Sequence, residues 1–378
     1  MQKSPTLTLP FKLLVLCLLQ LFSTSVTAQI PNIVLEPDGG NKKASVTEQI
    51  GIVKIAVNYS RPGVKGREGR IWGTTVAHYG LQDLGHGTSY AVPWRAGANE
   101  NTTISFSHRV KIEGKDLEAG TYGFFVINGP DESTLIFSKN STSWGSFYYD
   151  STADALRVRV KHQSLEQSVE WLRYEFLNQT ENAATIALSW EKRIIPFRVE
   201  TDRLKLQIES FKKDFQTTRA ASDLIQAANF CLANNYDLEQ ALIWTNRAVN
   251  MRVMGEKNFS TLSTHAAVLM ALNKKTEAKA IILEALAIGN MREVHFFGRT
   301  LLSSNQIDEA FKVLQYNYDK HPDEYTTNVG LGRVYSAKGD YKKALEYMGI
   351  ALQKAPDILN KNNVAVMIEK LKADKDVN

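Results

Sequence analysis

The chain has 378 residues, 43% of them hydrophobic, and a formal net charge of +5. That length suits two domains of ordinary size, and the apolar content supplies packed cores, which excludes a disordered chain. The basic excess is small and interspersed with acids, so there is no concentrated basic stripe and no nucleic-acid partner is expected.

Lys3 and Lys12 precede an apolar run from Leu13 to Phe22, and small or polar residues follow up to Val26-Thr27-Ala28. This is the pattern of a signal peptide over residues 1–28, cleaved before Gln29. The run is short for a bilayer span, which takes ~20 residues; an uncleaved anchor helix is the alternative. A lipoprotein reading fails because Leu16, not a small residue, precedes Cys17. The expectation is therefore an exported protein, periplasmic or secreted, that does not span the membrane after cleavage. Cys231 is then the only thiol, which rules out an intramolecular disulfide, and its helical surroundings Ala227–Ala233 mark it as a core residue.

Residues 29–201 are expected to form a β-rich domain. Val53, Ile55 and Val57 alternate with Lys54, Ala56 and Asn58. Leu156, Val158 and Val160 alternate with Arg157, Arg159 and Lys161, and similar rhythms run through Trp171–Phe176 and Ile186–Trp190. Period two places one face on a core and the other toward water. Turn signals at Glu113-Gly114-Lys115-Asp116, Asn128-Gly129-Pro130-Asp131 and Asn178–Asn182 separate the runs. Many short antiparallel strands predict a β-sandwich-like domain.

Residues Arg61 to Arg95 break the rhythm. They are rich in Gly, Arg and aromatics, and a long loop of this kind is often functional. Here the sequence is similar to the bacterial family catalogued as domain of unknown function 2911. The likeness rests on Ser60-Arg61-Pro62-Gly63-Val64-Lys65-Gly66-Arg67, Ile71-Trp72-Gly73 and Trp94-Arg95-Ala96-Gly97-Ala98-Asn99-Glu100. Leu117–Phe124, Trp144-Gly145 and Trp190-Glu191-Lys192 add to it. The resemblance covers about residues 30–200 and implies a fold and an exported habit, but no activity. The segment between Trp72-Gly73 and Trp94-Arg95 is longer than the family's usual spacing, which puts His86 outside any shared site.

Arg95, Asn99 and Glu100 form the sharpest chemical group: an Arg fork for a carboxylate or phosphate, an amide, and a carboxylate that pairs with Arg or accepts protons. Arg61, Lys65 and Arg70 would make the region cationic, with Trp72 and Trp94 as stacking surfaces for a small molecule or glycan. The same residues serve equally to pin a long loop to the sandwich. His78, His86 and His108 lack metal-ligand spacing, and no nucleophile elbow, P-loop or dinucleotide fingerprint occurs. No metal, cofactor or catalytic set is expected; a hydrolase using Glu100 and Arg95 is the alternative.

From residue 202 to 378 the period becomes helical and the sequence repeats. Gly298 and Gly332, Ala310 and Ala344, and Pro322 and Pro356 are each 34 apart, the tetratricopeptide period, with weaker copies about Ala278 and Ala241. A leading helix over Leu204–Arg219 and a capping helix over Lys361–Leu371, with Val364, Ile368 and Leu371 on one face, complete an α-helical solenoid. The register points Arg292, His295, Arg299 and Arg333 into the groove of the first helices, where they would hold a protein or an acidic peptide partner. The alternative is a solvated polar face on an array used for packing.

Overall fold

The computed structural model describes residues 40–85, 91–217 and 220–378. The proposed signal segment and His86 lie outside the described residues. The structure divides into two compact units that meet in sequence at Thr201 and Asp202.

The first unit is built from two antiparallel sheets. Strands β1 (Lys42–Ile50), β2 (Val53–Arg61), β3 (Thr103–Phe106), β6 (Gly120–Asn128), β7 (Glu132–Ser138) and β8 (Asp154–Lys161) form one sheet in the order β1-β2-β3-β6-β7-β8. The other, in the order β5-β4-β10-β9, takes β4 (Val110–Ile112), β5 (Lys115–Leu117), β9 (Gln163–Leu177) and β10 (Ala183–Glu200). Neither sheet closes into a barrel. The β1–β2 hairpin turns at Gly51 (φ 57°), which pairs Ile50 with Val53 and, further out, Lys43 with Ser60. Glu113 (φ 50°) and Gly114 (φ 76°) make the tight β4–β5 turn; two successive positive φ angles give the backbone twist that such hairpins need.

An aromatic core joins the sheets. Phe124 of β6 packs at 5.6 Å on Phe197 and 6.2 Å on Tyr174, both from the second sheet, and at 5.3 Å on Phe137 from its own. Strands β9 and β10 are 15 and 18 residues long, well beyond the short strands expected. Residues 62–85 and 91–95 are irregular, as their composition implies, yet Val64, Ile71, Ala77 and Val92 are buried, so these segments are packed into the unit.

The second unit contains ten described helices: α1 (Arg203–Asp214), α2 (Ala221–Asn234), α3 (Leu238–Asn250), α4 (Phe259–Ala271), α5 (Lys275–Ile288), α6 (Met291–Ser303), α7 (Ile307–Lys320), α8 (Tyr325–Ala337), α9 (Tyr341–Gln353) and α10 (Ile358–Lys372). Four hairpins, α2/α3, α4/α5, α6/α7 and α8/α9, stack in chain order in a tetratricopeptide-type arrangement, and α10 follows the last. Each first helix stops at a left-handed residue: Asn235 (φ 47°), Asn273 (φ 61°), Asn305 (φ 59°) or Gly339 (φ 77°). Such residues satisfy the last carbonyls and reverse the chain. Each second helix then buries an alanine completely at its fourth position: Ala241, Ala278, Ala310 and Ala344. Gly298 and Gly332 mark the closest approach within their hairpins. A Cβ on Gly298 would lie 2.6 Å from Leu314, and one on Gly332 would lie 2.8 Å from Met348. On α10, Val364 and Leu371 are buried and Ile368 half-buried against the last hairpin.

Candidate functional site

The stretch that carries Arg95, Asn99 and Glu100 is a tight loop with two left-handed residues, Ala96 (φ 50°) and Asn99 (φ 57°). An alanine in that conformation is strained. Its carbonyl is held by the Thr102 hydroxyl at 3.0 Å and by the hydroxyl of fully buried Tyr174 at 2.8 Å, so the surrounding bonds fix the strained turn.

That turn separates the side chains expected to work together. Arg95 and Glu100 do not pair. The Arg95 guanidinium donates from Nη1 to the Asn99 carbonyl at 2.7 Å and stacks at 4.9 Å on Phe147. Gly145 (φ 61°) lets it through, since a Cβ there would lie 2.3 Å from Arg95 Cζ. Burial draws the Arg95 pKa down, the direction for a desolvated cation. Glu100 faces away, accepting from Lys43 Nζ at 2.6 Å and from the Ser60 hydroxyl at 3.2 Å. Burial pushes its carboxyl up, but the hydrogen bond and charge of Lys43 and the bond from Ser60 outweigh that and leave it below the usual range. Asn99 accepts from the Asn41 amide at 3.1 Å.

The two tryptophans expected as stacking platforms pack with Trp190 in a three-ring cluster. Trp94 lies parallel to Trp190 (6.1 Å, 7°), and Trp72 meets both edge-on at 5.6 and 6.0 Å. Trp190 is fully buried and Trp94 nearly so. Arg193 covers Trp72 at 4.5 Å while donating to the Gly129 carbonyl. Other motif residues are likewise engaged within the unit: Arg61 Nε donates to the Leu172 carbonyl, Arg67 to the Val64 and Gly63 carbonyls, and buried Glu191 accepts from the Gly69 amide. The Arg61 and Glu191 contacts pin the long loop to the second sheet, and those of Arg67 close the loop on itself.

One open concavity on this unit, about 480 Å³, is lined by the polar residues Lys43, Ser45, Asn58, Ser60, Glu100 and Asn101. Lys43 and Ser60 were not among the sequence candidates. The hairpin register about Gly51 was the signal that pairs them. A second concavity, about 490 Å³, runs beside Arg61 and Trp171, whose ring lies 4.8 Å from Lys42 Nζ. His78 is buried against the Gly80 carbonyl and His108 bonds Ser107. Among the described residues no group of three His, Cys, Asp or Glu side chains could hold a metal. Cys231 is fully buried, and burial, aided by the Asp237 charge, pushes its thiol up to about 11; it is no nucleophile.

In the helical unit, Asn290 and Glu293 cap α6 reciprocally. Along that helix Arg292, His295 and Arg299 recur at three- and four-residue spacing, on one face. Arg333 follows one period later on α8. The structure brings three of these together: burial pushes the His295 imidazole down to about 4, helped by the charges of Arg299 and Arg333. Arg292 is exposed and takes no part in this coupling. Arg333 is half-buried, and its guanidinium donates from Nη1 to the Val377 carbonyl at 3.1 Å. Residues 374–378, absent from the sequence candidates, therefore lie on this face. The one signal for them was Val377, an apolar residue in a polar run.

No curated protein matches the chain. Among solved structures it is similar to YrrB, described as a tetratricopeptide-repeat protein with an unusual peptide-binding site. Identity is 19% over 43% of this chain and 84% of that one, with a TM-score of 0.26. It is also similar to MamA, residues 41 to end, from Desulfovibrio magneticus RS-1, with 19% identity over 41% of this chain and 88% of that one, and a TM-score of 0.26. The tetratricopeptide-type arrangement stands on the chain's own hairpins and register. Residues 41–199 match the family described as protein of unknown function, DUF2911, which identifies the β-rich unit as a domain of that family.

Proposed function

We propose that this is an exported, non-catalytic interaction protein whose helical unit holds a partner protein on the face of α6 and α8. The observation that supports it is the meeting of His295, Arg299 and Arg333 from consecutive first helices. A repeat solenoid uses this face for binding, and two arginines beside a neutral imidazole, with the single carboxylate of Asp376 near Arg333, suit an acidic segment. No helix among the described residues is long and apolar enough to cross a membrane. Export rests on residues 1–28 and predicts a mature protein beginning at Gln29. Arg299→Glu with Arg333→Glu is expected to abolish capture of partners that the unaltered protein crosslinks in the cell envelope. Identical capture by both proteins sinks the proposal.

For the β-rich unit the polar concavity beside Lys43 suits a small hydroxylated molecule or a glycan. A panel of sugars and cell-wall fragments is expected to contain one that raises the melting temperature, as a native-state ligand must; a flat panel removes this part of the reading. The hydrolase alternative draws no support. Glu100 is held ionised by Lys43, and Arg95 bonds the loop carbonyl of Asn99.

A further inference from the structure

Residues 373–378 do not trail away from α10. Asp374 takes a left-handed φ of 52°, and the Lys375 amide bonds back to the Lys370 carbonyl at 3.0 Å. This helix-ending turn reverses the chain and returns it across α8. There the Asp376 carboxylate accepts from the Ser336 hydroxyl at 2.6 Å, and the Val377 amide donates to the same hydroxyl at 3.1 Å. Val377 is buried, 6% exposed, in the apolar cluster of Val329, Met348 and Val364. Its carbonyl accepts from Arg333, and the Asn378 side-chain Nδ2 donates to the Arg333 carbonyl at 3.0 Å. An anchored acid, a buried aliphatic side chain and a main-chain carbonyl clasped by arginine are the elements with which a groove recognises an extended peptide.

We infer that residues 376–378 plug the partner face in cis, and that the partner displacing them is an extended acidic peptide with an Asp-Val-like core. This deepens the proposed function and rests on it. The plug leaves part of the face's polar and cationic capacity unused. Arg333 Nε and His295 Nδ1 are buried without a hydrogen-bond partner among the described residues, and Arg299 is exposed with no ion pair there. The one nearby carboxylate, Asp376, is committed to Ser336, to the Val377 amide and to Asn378. A peptide that keeps the Asp-Val core and adds acids before it supplies Arg299 and Arg333 with charges beyond the single one of Asp376, which already acts on Arg333. It therefore gains contacts as it displaces the plug, while the plug, being tethered, competes at a high effective concentration.

The test titrates a fluorescently labelled peptide Asp-Glu-Asp-Val-Asn against the full chain, the chain lacking residues 376–378, and full-length Val377→Ser, which loosens the plug without shortening it. The shortened chain is expected to bind at least about tenfold more tightly than the full chain, with Val377→Ser between them. Arg299→Glu with Arg333→Glu in the shortened chain is expected to abolish binding. If Val377 is needed for folding, so that the shortened chain melts early, the Val377→Ser comparison decides. Equal affinities for all plugged and unplugged chains, still lost on charge reversal, overturn the plug and leave the partner face standing. No binding by any chain overturns both.

Discussion

Replacing Trp190 by alanine is expected to destabilise the β-rich unit by about 3–5 kcal/mol, the range for deleting a fully buried aromatic side chain. Trp190 has no exposed surface, lies flat on Trp94 and takes the edge of Trp72. Those rings come from Ile71-Trp72-Gly73 and Trp94–Glu100, the loop segments that carry the family signature, so the cavity would open where the irregular stretch meets β10. Urea unfolding of the full chain, with hydrogen exchange of β9 and β10 amides assigning the transition, reads the loss. Trp190→Phe, which keeps a flat apolar ring, should recover roughly half of it. A cost below ~1 kcal/mol would mean that the three rings form a surface platform and not a core, and would return Trp72 and Trp94 to the pool of ligand-stacking residues.

That reversal shows what the sequence could and could not convey. The alternation of β2 and β8 was readable because each has one wet face. In β10 the alternation read through Ile186–Trp190 marked a strand but not its surroundings: residues Leu188 to Glu191 are buried on both faces. Glu191 takes a left-handed φ of 51° between two register shifts, so the inward set passes from Leu188, opposite Tyr174, to Ile195, Phe197 and Val199. Nothing in the one-dimensional pattern marks such a switch. The helical unit was more legible. Hairpin packing demands a small residue at the fourth position of every second helix, and that demand recurs as a period.

The candidate sites divide the same way. Arg95, Asn99 and Glu100 are neighbours in sequence, which suggested a pair. Loop neighbours have no fixed side-chain period, however, and the left-handed Ala96 and Asn99 turn them apart. Lys43, the actual partner of Glu100, is 57 residues away and can be reached only through hairpin register. His295, Arg299 and Arg333 could be placed near one another from the sequence because helices do have a period. The segment that covers Arg333 was missed because one left-handed Asp374, not a pattern, brings it there.

Lowering the pH from 7 to 5 is expected to cost the helical unit about 2 kcal/mol through His295 alone. Its folded pKa, about 4, lies below the ordinary 6.5. In that window the unfolded chain takes up a proton that the folded chain refuses, so stability is full above 6.5 and falls as pH drops toward 4. Burial supplies most of the shift, Arg299 on the same helix and Arg333 on α8 supply the rest, and a hydrogen bond to the Thr326 backbone opposes it. His295→Gln keeps a polar side chain and cannot titrate. Its stability should change less between pH 7 and 5 than that of the unaltered protein, by that ~2 kcal/mol, when both are followed by urea unfolding. Parallel pH profiles for the two proteins would show that His295 takes up its proton in the fold as readily as in the unfolded chain. An acidic peptide on this face brings a carboxylate toward the same imidazole and raises its pKa, so protonation of His295 should tighten peptide binding while it weakens the empty fold. A Kd for the labelled acidic peptide that falls from pH 7 to 5 in the chain lacking residues 376–378, and stays level in its His295→Gln variant, is the expected signature; identical trends in both would remove His295 from the partner face.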